Sequence, residues 1–122
     1  MCGRFILTTP LEALEALFEI RVSTNLQPRY NIAPTQEVAV IGRSQDGRRD
    51  MRLFRWGLVP GWAKDTKMAA SMINARSETA REKPAFRQAF AKRRCLIPAD
   101  GFYEWPHGPR LPRTIRTNCR GC

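Results

Sequence analysis

The first candidate for chemistry is the second residue. Cys2 follows Met1, and an initiator methionine is normally trimmed when the residue behind it is small. Trimming would leave Cys2 as a 1,2-aminothiol, with an amine of reference pKa about 7.7–8.0 and a thiol of about 8.5. Both nucleophiles are then partly available near neutral pH. An aldehyde condenses with such an amine to an imine, and the thiol closes the imine to a thiazolidine ring. The same residue could instead serve acyl transfer, with its own amine as base. Gly3 permits close approach of a ligand. Arg4 brings a guanidinium that can hold a phosphate or lower a thiol pKa. Taken alone, a cysteine at position 2 is better explained by chance.

The other cysteines offer less. Cys95, Cys119 and Cys122 complete a set of four. The chain opens without a basic segment and apolar stretch of signal-peptide type, so a disulfide framework is not expected. Cys119 and Cys122 form a C-x-x-C, but one such pair with a single histidine, His107, is a weak zinc or redox signal. No metal or cofactor is expected.

The elements that must position Cys2 follow from pattern. Residues 3–7 read as a short strand carrying the N-terminus inward. Thr9-Pro10-Leu11-Glu12 reads as a helix start, with Thr9 as cap and Glu12 completing a capping box. Leu11, Leu14, Leu17 and Phe18 then fall at helical spacing over about 10–19. Residues 22–36 read as irregular, punctuated by Pro28 and Pro34. Glu37–Arg43 and Met51–Trp56 read as a hairpin around Asp46-Gly47. A loop over 57–67 carries an exposed Trp62. Residues 77–83 read as a helical turn and 84–92 as a helix, with Phe86 and Phe90 four apart. Cys95–Pro98 and Gly101–Trp105 read as two short strands about an Asp100-Gly101 bend. The predicted fold class is mixed α/β (α+β), a mainly antiparallel, barrel-like sheet with a few short helices.

Composition bounds the partners. The 122 residues suffice for one domain. No apolar run is long enough to cross a bilayer, so a cytoplasmic location and no membrane partner are expected. The formal net charge is +10, and 17 of the 21 basic residues are arginine. A guanidinium-rich chain favours a polyanion, and nucleic acid is the commonest. Composition breaks at Pro106. Residues 106–122 carry four arginines, no acid and almost no large apolar residue. The domain is therefore assigned to 1–105, and the basic, Pro-rich tail over 106–122 is predicted to supply no strand or helix face.

Five blocks in order carry a resemblance. They are Met1–Phe5 (MCGRF), Arg29–Pro34 (RYNIAP), Trp56–Trp62 (WGLVPGW), Asn74–Thr79 (NARSET) and Cys95–Trp105 (CLIPADGFYEW). Together the blocks closely resemble the SOS response-associated peptidase family, sensors that crosslink to abasic sites in single-stranded DNA. The resemblance implies that Cys2 forms a thiazolidine with the ring-opened sugar aldehyde. It implies that Asn74 hydrogen-bonds near the nucleophile and that Glu104 shuttles protons during imine formation. Arg4 and Arg76 would bind phosphates, and Trp62 would stack on bases. It further implies a cysteine-dependent peptidase that removes its own leading residues, with abasic-site crosslinking and lyase-type activity. The expected partner is single-stranded DNA containing abasic sites, met by a monomer.

The residues are compatible with these roles and with plainer ones. Loss of water from a carbinolamine needs an acid nearby. Glu104 lies between Tyr103 and Trp105, where burial would raise its pKa; a solvated strand carboxylate is the alternative. Asn74 is equally a turn residue and Trp62 equally core. The family also carries a histidine in an Ile-His-Asp-Arg-Met-Pro type block beyond Tyr-Glu-Trp. No such block occurs here, and the role does not pass to His107. The break at Pro106 leads to the expectation of a frameshift or premature end, and hence of a marginally stable chain. The alternative functions are a non-catalytic nucleic-acid-binding module and an inactive fragment.

Overall fold

The computed structural model describes residues 2–22, 24–104 and 115–116. Its elements run in the order β1 (Arg4–Leu7), α1 (Leu11–Phe18), β2 (Arg29–Ile32), β3 (Glu37–Arg43), β4 (Arg49–Arg55), a 3-10 helix (Lys67–Ser71), α2 (Arg87–Lys92), β5 (Gly101–Tyr103) and β6 (Ile115–Arg116). The fold is mixed α+β with antiparallel sheets and few helices, as predicted. Among the described residues the strands form a four-stranded sheet, β2-β1-β5-β6, and a β3-β4 hairpin, without a closed barrel.

β1 alternates as a half-buried strand must. Phe5 and Leu7 face the core, and Arg4 points out. It is central in its sheet. Phe5 pairs with Ile32 of β2 on one side and with Phe102 of β5 on the other. β3 is buried at four consecutive positions, Val38 to Ile41, so both its faces are covered. β4 is exposed along most of its length. One apolar cluster joins the two sheets through Phe5, Leu7, Ile32, Val38–Ile41, Met51 and Trp56, with Leu14 and Ile20 added from α1 and its exit. Trp56 meets Phe5 edge to face, with ring centroids 5.2 Å apart.

Several local expectations are corrected. Thr9 does not cap α1. Pro10 stands at the cap position, and the Thr9 hydroxyl and amide both donate to Asp100 instead. Asp100 also accepts from the Thr8 amide and hydroxyl, at 2.5 and 2.9 Å. Its own amide donates to the Ile6 carbonyl at 2.8 Å. The bend residue of the sequence is thus the tie between the end of β1 and the start of β5. Leu17 is 71% exposed, because the buried stripe of α1 runs through Leu11, Leu14 and Phe18.

β2 arises within the stretch read as irregular. Its four residues carry no strand-like alternation, and its pairing with β1 contains a register shift. Cys95–Pro98 is not a strand, but Leu96 exchanges two backbone hydrogen bonds with Ile41. α2 begins at Arg87 rather than Pro84, and residues 77–83 form turns. The tail does supply a strand: β6 pairs Arg116 with Phe102 and Ile115 with Tyr103. Backbone pairing needs no apolar face, which is why composition did not announce it. Trp105, His107, Cys119 and Cys122 lie outside the described residues.

Candidate active site

Cys2 enters β1 from the end of the ladder at which β5 finishes. Arg4 pairs with Tyr103, so Glu104 leaves β5 at that same end. Asn74 comes from a different part of the chain, and its placement can be followed bond by bond. Gly57 has φ +131°, and a Cβ there would meet the Ala69 carbonyl oxygen at 2.4 Å. Only glycine lets the backbone after β4 lie this close to the 3-10 helix. Ala69 is fully buried beneath that contact. The Leu58 amide then donates to the Met72 carbonyl at 3.0 Å, and the Trp56 indole Nε1 donates to the Ile73 carbonyl at 3.0 Å. Residue 74 is thereby delivered to the N-terminus, where Asn74 Nδ2 donates to the Cys2 backbone oxygen at 2.7 Å.

Cys2 is held at two points. Asn74 takes its carbonyl, and its Sγ lies 3.5 Å from the Arg4 carbonyl as a weak S–H donor. The residue is half-buried and lines a hollow of about 270 Å³ with Gly3, Ala70, Ser71, Ile73 and Asn74. That volume suits a sugar better than a drug-sized ligand. A larger hollow of about 440 Å³ lies at the β3-β4 turn among Arg43, Ser44, Gln45, Asp46 and Arg52. No thiol lines it, its Ser44 hydroxyl is engaged with Asp46, and an Asp46–Arg48 ion pair further occupies the carboxylate.

The remaining predicted residues are arranged unequally. Arg4 is exposed, and its Nη1 donates to Asn31 Oδ1 of β2 at 2.9 Å. This steadies the guanidinium while leaving its other donors for an anion. Trp62 is 60% exposed on its loop, as read from the sequence, so it is not core. Arg76 is exposed two residues beyond Asn74. Among the described residues neither Arg4 nor Arg76 forms an ion pair with a carboxylate. Glu104 is exposed, not buried between aromatics, because β5 ends at Tyr103 and the carboxylate stands past the core. Asn74 and Cys2 are therefore in contact, Glu104 and Arg4 share their end of the β1–β5 ladder, Arg76 follows Asn74 by two residues, and Trp62 stands exposed on a separate loop.

Three positioning residues escaped sequence reasoning. Asn31 holds Arg4, Trp56 holds the Asn74 segment and Asp100 ties β1 to β5. All three fall inside the recurring blocks, which was the available signal. No spacing rule connects them to their partners, 27, 17 and 92 residues away. Cys95 is a second free thiol, and desolvation pushes its pKa up, which disfavours the thiolate. The described residues contain no group of three or more metal-ligating side chains. No helix among them is long and apolar enough to cross a membrane.

Comparison with known proteins agrees with the blocks. The chain is similar to the abasic site processing protein YoaM of Bacillus subtilis, at 47% identity over 108 residues. That alignment covers 86% of this chain and 47% of the relative. It is similar to the abasic site processing protein HMCES of Mus musculus, at 34% identity, covering 86% of this chain and 36% of that one. Among solved structures, a Bacteroides thetaiotaomicron protein superposes with a TM-score of 0.75 at 25% identity, covering 93% of this chain and 52% of that chain. A phage-related protein of Bordetella bronchiseptica gives 0.67 at 28% identity, with 93% and 53% covered. The chain thus spans about half the length of the Bacillus relatives it matches. The sequence pattern described as SOS response associated peptidase (SRAP) matches residues 1–119, and this chain belongs to that family.

Proposed function

We propose that this chain acts on abasic sites in single-stranded DNA, using Cys2 as a covalent trap for the sugar aldehyde. The observation that carries the reading is the Asn74–Cys2 hydrogen bond of 2.7 Å beside a sugar-sized hollow. The chemistry first requires a free amine at Cys2, so Met1 must be lost. We read the peptidase activity of the family as this self-processing step.

The free amine of Cys2 attacks the aldehyde carbon of the ring-opened sugar to give a carbinolamine. A proton delivered to its hydroxyl lets water leave and the imine form. Cys2 Sγ then adds to the imine carbon, its proton returning to nitrogen, and the thiazolidine closes. The balance is one aldehyde plus one aminothiol giving one ring and one water. Glu104, exposed at the same end of the β1–β5 ladder, is the proton shuttle. Asn74 fixes the Cys2 carbonyl and so fixes the directions of the amine and the sulfur. Such orientation is what turns two weak nucleophiles into an efficient trap.

The DNA is held by Arg4 and Arg76 at phosphates and by Trp62 beneath a base. Stacking on an exposed aromatic contributes about 1–3 kcal/mol per base. The test is incubation of the chain with a single-stranded oligonucleotide carrying one abasic site, followed by denaturing electrophoresis. A denaturant-stable adduct that disappears in Cys2→Ala is expected. An equal adduct from Cys2→Ala, or none from the parent chain, rejects the reading. Salt-sensitive DNA binding that survives Cys2→Ala without any adduct would identify a plain binding module instead.

A further inference from the structure

Much of the net charge of the chain is concentrated in one segment around α2. Residues 77–94 carry six cations against two carboxylates, a local excess of +4 within the total of +10. Most of these cations lie on and around α2. Two of them do not simply point into water. The Arg81 guanidinium carbon sits 5.3 Å from the centroid of the Phe90 ring, and that of Arg94 sits 5.8 Å from the same centroid. Arg81 comes from the turns before α2, Phe90 from its last turn and Arg94 from just after its end. Among the described residues neither arginine forms an ion pair or donates a hydrogen bond to a carboxylate.

We infer that Arg81, Phe90 and Arg94 form a clamp for the phosphodiester backbone of nucleic acid, separate from the hollow at Cys2. Two guanidiniums gathered on one ring repel each other, and the ring quadrupole offsets that only in part. A phosphodiester that accepts from both lowers that repulsion. The stacking restrains both planar forks while leaving their N–H donors free, which lowers the entropic cost of gripping phosphate oxygens. Arg87, Lys92 and Arg93 are exposed on the same short segment and add to the positive potential.

The clamp lies on the element that borders the Trp62 loop. A Cβ on Gly61 would stand 4.0 Å from Gln88 Oε1, so the Trp62 loop lies beside α2. A single strand stacked on Trp62 would pass from that loop onto the basic face of α2. The inference rests on the nucleic-acid reading above but not on Cys2 chemistry, so its test uses intact DNA.

The experiment is fluorescence anisotropy of the 122-residue chain with a labelled 20-nucleotide single strand lacking any abasic site, titrated across salt concentrations. Arg81→Gln with Arg94→Gln is compared with Arg43→Gln plus Arg48→Gln at the hairpin tip, which removes the same charge. The clamp pair is expected to lower the slope of log affinity against log salt by about 1.4, two phosphates at about 0.7 each, with about tenfold weaker binding at low salt. The hairpin pair is expected to change affinity less than twofold. Arg81→Lys with Arg94→Lys keeps the charge and is expected to keep the slope while losing about threefold in affinity, because lysine lacks the planar fork. Equal effects from the clamp and hairpin pairs overturn the clamp and leave the Cys2 reading standing. Absence of DNA binding by the parent chain overturns both.

Discussion

Asn74 grips the Cys2 carbonyl and leaves its sulfur and nitrogen alone. In the proposed reaction it would therefore fix conformation rather than tune the thiol. Asn74→Ala is expected to slow adduct formation about tenfold, the kinetic equivalent of one lost hydrogen bond of about 1.4 kcal/mol. Reaction of Cys2 with a small soluble thiol reagent should stay within about twofold of the parent, because that reagent needs no orientation. Equal slowing of both reactions would point to a changed thiol instead. Cys2 was a candidate because a cysteine behind Met1 makes an aminothiol once exposed, and the ordered blocks around it, not its position alone, singled it out. Asn31 was not, since its contribution is only to hold Arg4 from a neighbouring strand. A polar residue 27 positions away gives no periodic sign of such a partnership.

At the scale of elements, the site depends on two ties. Asp100 receives four hydrogen bonds from Thr8 and Thr9 and so locks β1 against β5. Desolvation raises its pKa, but the hydrogen bonds from Thr9 and Thr8 outweigh it, and the net shift is below the ordinary carboxylate value. A carboxyl with a depressed folded pKa stabilises fully above its unfolded value and loses that contribution as pH falls through the folded one. Denaturant titration should show the parent losing stability as pH drops below the usual carboxylate range. Asp100→Ala should cost about 2 kcal/mol at neutral pH and show less of that acid dependence. The second tie is the close approach of Gly57 to Ala69. Gly57→Ala should destabilise the fold by at least about 1 kcal/mol, because it combines a forbidden φ with a backbone clash, and it should slow adduct formation by displacing Asn74.

The elements themselves were unequally legible. β1 follows alternation, β3 a Val- and Ile-rich run and the β3-β4 hairpin a turn signal, so pattern located them. β2 and β6 are short, lie at sheet edges and are defined by backbone pairing with β1 and β5. Pattern carries little of that information, and the N-terminal cap of α1 was misassigned because Thr9 is turned to a carboxylate 91 residues away and Pro10 takes the cap position.

For the molecule as a whole, two surfaces remain in tension with a stable monomer. Leu53 and Phe54 on β4 are 37% and 53% exposed, and Leu96 and Ile97 beside β3 are 58% and 47% exposed. Apart from a bridge from Arg21 to Asp50, β4 pairs only with β3 among the described residues. The Bacillus relatives it matches are about twice as long. The 122-residue chain is expected to bind a hydrophobic dye in its native state and to melt over a broad range, as seen by circular dichroism. A sharp cooperative melt without dye binding would contradict this. The positive charge was readable from composition, whereas its concentration around Phe90 required the fold.

The central claim is that Cys2 closes a ring on an abasic-site aldehyde, and intact mass spectrometry of the adduct, with and without borohydride, tests it most directly. The account predicts a mass equal to the chain without Met1 plus the oligonucleotide minus one water, unchanged by borohydride because a thiazolidine has no imine to reduce. An adduct that retains Met1, or one that gains two hydrogens on reduction, would contradict it.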